Sequence, residues 1–346
     1  MLFARVARSA RSARSTASVP PTLRRSVILA VILAFAVYAG LGQPAPAHSA
    51  AGPRIAGCPV FPPDNVWNTP IDKLPLDANS KTYVATIGAD KPLHADFAAD
   101  PLSGIPFNVI DAHVPYVKIT FDYADESDVG NYPIPPHPLI EGGPNAPEGT
   151  DHHILLVDKD RCMLAEIWLS RRVSDTVWKA GSGIKMDLTG NGLRAGGKTS
   201  ADAAGLPVFP GLVRYDEVAA GEIRHALRFT VLKTVSDHIW PARHDASKIT
   251  DRKYPPMGVR FRLRAGFDIS GFSKANQVIL TALKRYGMFV ADNGAPWFLS
   301  GAPDPRWNDD DLHQLTNVKG SDFEAVDESN WEYLPDSGRV DPAENK

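Results

Sequence analysis

One stretch restricts the fold more than any other. His153-Ile154-Leu155-Leu156-Val157-Asp158 and Arg161-Cys162-Met163-Leu164-Ala165-Glu166-Ile167-Trp168 are two apolar runs with only Lys159-Asp160 between them. Such a pair reads as a β-hairpin. Apolar residues occupy both parities of each run, so neither strand can spare a face for water. Both belong at the centre of the molecule, covered on both sides. If Lys159-Asp160 is the whole turn, Asp158 pairs with Arg161, Leu155 opposes Leu164 and His153 opposes Glu166.

Other short strands surround this pair. Pro106–Ile110, Tyr116–Tyr123 and Val177–Ala180 carry strand-type residues. Glu222–Val231 and Val259–Ile269 alternate apolar and polar residues. One helix is expected over about 273–286, capped by Ser273, with Ala275, Val278, Ile279, Ala282, Leu283 and Tyr286 on one stripe and Gly287 at its end. Thirty prolines and 27 glycines place long loops between the elements, notably 124–150, and exclude a helix bundle. Residues 52–106 read as irregular structure wrapping a core. The expected architecture is mainly β: an antiparallel β-sandwich or jelly roll with one amphipathic helix, forming a single domain over 52–326. Residues 327–346 read as a loose acidic tail.

The first residues carry Arg5, Arg8, Arg11, Arg14, Arg24 and Arg25 and no acid, followed by an apolar run from Val27 to Gly42 and the small residues Ala45-Pro46-Ala47. This is the pattern of a secretory signal peptide, here 1–51. The expected location is therefore extracellular, without stable membrane insertion once the signal is cleaved. Without those residues the net charge moves from −3 to −9, which argues against nucleic-acid binding. Cys58 and Cys162 are the only cysteines, and an oxidising compartment predicts a disulfide between them. Two cysteines cannot build a zinc framework, and no phosphate-binding Gly loop, nucleophile elbow or zinc-protease motif occurs, so no metal or cofactor is expected.

Strand parity places Asp151, His153, Glu166 and Trp168 on one face at the rim of the hairpin. Carboxylates beside an indole suit glycoside cleavage, which needs an acid, a base or nucleophile, and a surface for the sugar ring; a structural His–Glu pair is the alternative. His225 lies on an otherwise apolar face, as a core histidine or a cleft histidine. Asp202 sits among small residues, as a turn cap or a ligand-facing carboxylate. Arg224 and Arg228 on one strand, with Arg260, Arg262 and Arg264 on another, read as a solvated stripe or as a surface for acidic glycans. Asp309-Asp310-Asp311 suit the first turn of a helix.

Thr199–Pro207, Pro210–Glu217, His225–Phe229, Ala291–Gly294 and Gly301–Trp307 together resemble a family of secreted bacterial proteins known only as uncharacterised. The resemblance spans roughly residues 58–327, implies one domain and carries over no catalytic residue. The residues themselves favour a monomeric, exported glycoside hydrolase acting on a polysaccharide or cell-wall glycan. Glu166 and Asp202 would be its carboxylate pair, tuned by His153 and His225. Trp168, Asp151, Tyr215, Arg224 and Arg228 would hold substrate. A polysaccharide lyase on an acidic glycan and a non-catalytic glycan-binding or cell-envelope module are the alternatives.

Overall fold

The computed structural model describes residues 52–341 apart from Glu148. The expected signal peptide and the last five residues lie outside the described residues. Three sheets carry the fold, and all three are mixed. The central sheet has the order β11 (Ser182–Asp187), β8 (Met163–Trp168), β7 (Ile154–Asp158), β4 (Phe107–Ile110), with β4 parallel to β7. A second sheet runs β6 (Asn131–Pro133), β5 (Tyr116–Phe121), β10 (Val177–Ala180), β9 (Arg171–Arg172), with β5 and β10 parallel. The largest runs β16 (Phe323–Ala325), β13 (Arg260–Leu263), β14 (Met288–Asn293), β12 (Leu227–Val231), β15 (Phe298–Ser300), β3 (His94–Asp96). The short pair β1 (Arg54–Ile55) and β2 (Cys58–Pro59) stands apart. The molecule is mostly β, with open sheets, and the purely antiparallel expectation is corrected. Parallel pairing arises because non-consecutive strands become neighbours, as in β4 with β7 and β12 with β14.

The central hairpin is covered on both sides, as its composition requires. Ile154, Leu156, Ala165 and Ile167 pack into one cluster with Val117, Ile119, Phe121 and Trp178 of the second sheet. Leu155, Val157, Leu164 and Ile184 enter the larger cluster around Phe229, Phe261, Phe289 and Trp297. Gly183 is needed here: a Cβ at that position would lie 2.7 Å from the Phe121 ring and 2.9 Å from the Tyr132 hydroxyl.

The hairpin register differs from the expected one. Val157 faces Leu164, Leu155 faces Glu166 and Asp158 faces Met163, leaving Lys159–Cys162 as the turn. The reason is local. The Asp158 carboxylate accepts from the Asp160 and Arg161 amides, each at 3.0 Å, and from the Arg161 side chain at 2.7 Å. Asp158 thus organises the turn instead of ending it, and Cys162 turns left-handed at φ 52°. The slip is two residues, so Glu166 keeps its face.

The expected helix is present as Lys274–Arg285, its Ser273 hydroxyl accepting from the Asn276 amide. Gly287 ends it at φ +67°, with Phe261 O only 2.3 Å from where a Cβ would sit. It is not alone among the described residues: Ser80–Ile87, Tyr215–Ala220 and Asp309–His313 are also helical. Ser80–Ile87 lies in the segment expected to be irregular and buries Tyr83, Val84 and Ile87. None of the described helices is long and apolar enough to cross a membrane.

Two further expectations are corrected. The arginine stripe is not one surface: Arg264 is exposed and Arg224 half-exposed, but Arg228 and Arg260 are buried. Arg260 is fully buried, bonded to Glu328 at 2.8 Å and to the carbonyls of Val66, Thr69 and Tyr286. Arg262 is held by Glu324 and by Ile71 O and Leu74 O. Alternation alone suggested a wet face; the other side of this sheet is covered too. Nor is the carboxy-terminal segment loose up to Asp341. Trp331 and Val340 are buried, Glu328 reaches Arg260, and bridges join Asn65 to Arg339 and Glu332 to Val340.

The Cys58–Cys162 disulfide is formed, with Cα atoms 5.3 Å apart and a sequence separation of 104. Replacing both cysteines by Ser should lower unfolding stability by up to about 4–5 kcal/mol through the freed loop, read from denaturant midpoints; an unchanged midpoint would show that the crosslink restrains nothing. Glu328→Ala leaves the Arg260 charge buried without its carboxylate, which typically costs about 3–5 kcal/mol. Calorimetry should show a large fall in Tm, and a fall of under a degree would mean that the pair contributes little.

Candidate active-site cleft

The Thr199–Leu206 loop forms the floor of a cleft of about 510 Å³. It is pinned by backbone bonds: the Ala204 amide donates to Ala291 O, and Arg243 and His244 amides donate to Ala204 O. Asp202 folds the loop over itself, its Oδ1 accepting from the Ala204 and Leu206 amides and from the Ser200 hydroxyl. One wall is aromatic. Trp168, at the end of β8, lies 6.3 Å from Tyr123 ring to ring and donates its indole N–H to Asp151 at 2.9 Å. Gly181 permits that rim, since a Cβ there would meet the Trp168 ring at 2.5 Å. The opposite wall begins where β14 bulges: Val290 pairs with Phe229, but Asp292 with Thr230. Such a bulge re-aims side chains, and Asp292 lines the cleft. His244 lines it as well. Its Nδ1–H donates to Ala203 O at 2.8 Å, leaving Nε2 3.6 Å from the Glu126 carboxylate.

Behind this surface lies a buried ionic layer. Arg228 donates to Ser300 at 2.8 Å and lies 3.6 Å from Asp202 Oδ2. That Oδ2 is buried and makes no hydrogen bond. Burial pushes the Asp202 carboxyl up to about 7, against the pull of Arg228. Glu166 is likewise raised to about 7 by burial, although its two oxygens accept from the Phe209 amide at 2.7 Å and the Val208 amide at 2.9 Å. His153 is bonded to Glu141 at 2.5 Å and donates to Ala201 O at 2.7 Å. Burial disfavours its charge, but Glu141 outweighs it and holds the imidazole at about 9. Asp292 is raised by burial, and the Asp151 charge adds to the shift.

The structure therefore gathers Asp151, Trp168 and Asp202 around one cleft, with His153, Glu166 and Arg228 in the layer behind it. Glu166 has 0% exposure and is held by backbone, so it reaches no substrate in this conformation. His225 lies elsewhere. Its Nδ1–H donates to Ala226 O, and its Nε2 meets Arg214 at 2.8 Å and Glu217 at 3.1 Å. Despite burial, Arg214 and His225 hold Glu217 down at about 2. Arg224 pairs with Glu222 at 2.7 Å, and Tyr215 packs on Trp307 beneath Arg306; neither lines this cleft. Sequence reasoning missed Glu126, His244 and Asp292. The signal available was weak: His244 sits in an aperiodic loop, and Asp292 looked like the end of a strand.

Among the described residues, no group of three or more His, Cys, Asp or Glu side chains is placed to hold a metal ion. No family model, curated protein or solved structure matches the chain, so the site is read from its own chemistry. Glu166 accepts an amide on each oxygen, and a carboxamide can accept on only one. Glu166→Gln should therefore lose about 1–3 kcal/mol in thermal or denaturant unfolding. An undiminished Tm would mean that the two amide bonds are not needed.

Proposed function

We propose that the chain is an exported carbohydrate-active enzyme that cleaves glycosidic bonds in the Asp151–Trp168–Asp292 cleft. One observation carries the reading: two carboxylates of unlike environment share a cleft with an aromatic wall. Asp292 is raised by burial, against the pull of Arg228 and His153, which suits a general acid. Asp151 is exposed and oriented by the Trp168 indole, which suits the nucleophile or base. Trp168 and Tyr123 offer the surface on which a sugar ring packs. Asp202, inward and bonded to its own loop, positions the floor and does not serve as one of the pair. We read the central and second sheets, packed through a shared apolar cluster, as a sandwich-like support for this rim. The disulfide fits an oxidising compartment. A uronate lyase is less well served, because among the described residues lining the cleft Lys248 is the single ammonium and there is no arginine.

The test is a panel of polysaccharides assayed for new reducing ends and for unsaturated uronate absorbance. Asp292→Asn and Asp151→Asn should each lower kcat about 10²–10⁴-fold with Tm unchanged, and Trp168→Ala should raise KM. Wild-type activity should decline as pH rises through the raised Asp292 pKa, because the protonated acid is then lost. Binding without cleavage by the wild type would instead establish a glycan-binding module. Cleavage by both Asn variants at the wild-type rate would remove these residues from the chemistry.

A further inference from the structure

We infer that the substrate is a polymer of non-acidic sugars, bound across two clefts that meet at Asp151 and cut in its interior. This rests on reading the first cleft as a glycan site and adds the binding mode and sugar class. Asp151 lines the 510 Å³ cleft and also a second one of about 640 Å³. It is exposed, so one carboxylate stands where the two spaces join. Each space falls within the roughly 300–1,000 Å³ of ordinary ligand sites. A chain lying through both would place a glycosidic bond over Asp151 with sugars on either side, which is the geometry of internal cleavage.

The lining of the second cleft specifies what it takes. Asp96, Glu141 and Asp309 supply carboxylates, His94 and His313 supply imidazoles, and among its described lining residues there is no lysine or arginine. His94 packs at a tilt against Phe298, with ring centroids 4.2 Å apart. Glu141 already engages His153, while the Asp96 side of the cleft and His313 are exposed. Carboxylates accept from sugar hydroxyls and amines, and they repel uronates and sulfates. An anionic groove of this kind selects neutral or amine-bearing glycans by excluding acidic ones.

The experiment compares aryl glycosides and disaccharides with graded malto-, cello-, chitosan and galacturonate oligomers, using wild type, His313→Ala and Asp96→Asn. Both changed side chains are exposed and neither is the proposed acid or nucleophile. For wild type, kcat/KM should rise with chain length on a neutral or amine-bearing series, with products of intermediate length appearing first. Both variants should lose about tenfold in kcat/KM on long oligomers, about 1.4 kcal/mol, through KM, and act on short glycosides like wild type. Variants indistinguishable from wild type on long chains would overturn the second cleft as a subsite. Preference for galacturonate would overturn the selection argument, and in both cases the hydrolase reading would stand. No cleavage of any substrate, short or long, would sink that reading and this inference with it.

Discussion

The Arg228 guanidinium is the charge on which the interior of this protein depends. Burial acts against ionisation of Asp96, Glu166, Asp202 and Asp292, and for each of them Arg228 works the other way. Glu141 is under the same influence. These carboxylates come from β3, β8, the Thr199–Leu206 loop, β14 and the long loop before β7. From β12 this cation therefore reaches carboxylates on two strands of its own sheet, on the central sheet and on two loops. A buried charge of this kind is costly alone and tolerable only when its neighbours answer it. Removing it would leave the buried Glu166 and Asp202 carboxylates without this cation, directly behind the cleft.

The same layer explains the division of labour at the cleft. Side chains facing inward are fixed by backbone groups: Glu166 by two amides, Asp202 by a turn, His153 by a carbonyl. The two outer carboxylates are held more lightly, Asp151 by the Trp168 indole and Asp292 by the Asn293 amide. Rigid support behind and single restraints in front leave the outer carboxylates positioned yet reachable, a condition that acid–base chemistry requires.

Much of the scaffold was legible in the sequence. The two-faced apolar hairpin, the Ser273-to-Gly287 helix and the cysteine pair each rest on a strong local rule: parity, capping, or redox compartment. What failed were inferences needing partners from afar. The register slipped because Asp158 gathers amides across its own turn. Arg228 and Arg260 looked solvated because alternation shows which residues share a face but not whether that face is covered. Tyr215, Arg224 and His225 were grouped with the site by polarity alone, and each has its own local partners. Glu126, His244 and Asp292 escaped because loops and bulges carry no period. The cleft is thus a product of tertiary assembly, and only its Asp151, Trp168 and Asp202 could be picked out residue by residue.

The Arg260–Glu328 pair has a consequence for how the molecule comes into being. Arg260 sits in β13, inside the largest sheet, and its carboxylate partner arrives 68 residues later in the chain. Synthesis proceeds from the amino terminus, so every chain shorter than 328 residues lacks the carboxylate that offsets this guanidinium. Until Glu328 is made, the largest sheet lacks the carboxylate that pairs with its buried guanidinium. A chain cut short before Glu328 would hold this guanidinium with carbonyl partners alone, its charge unanswered.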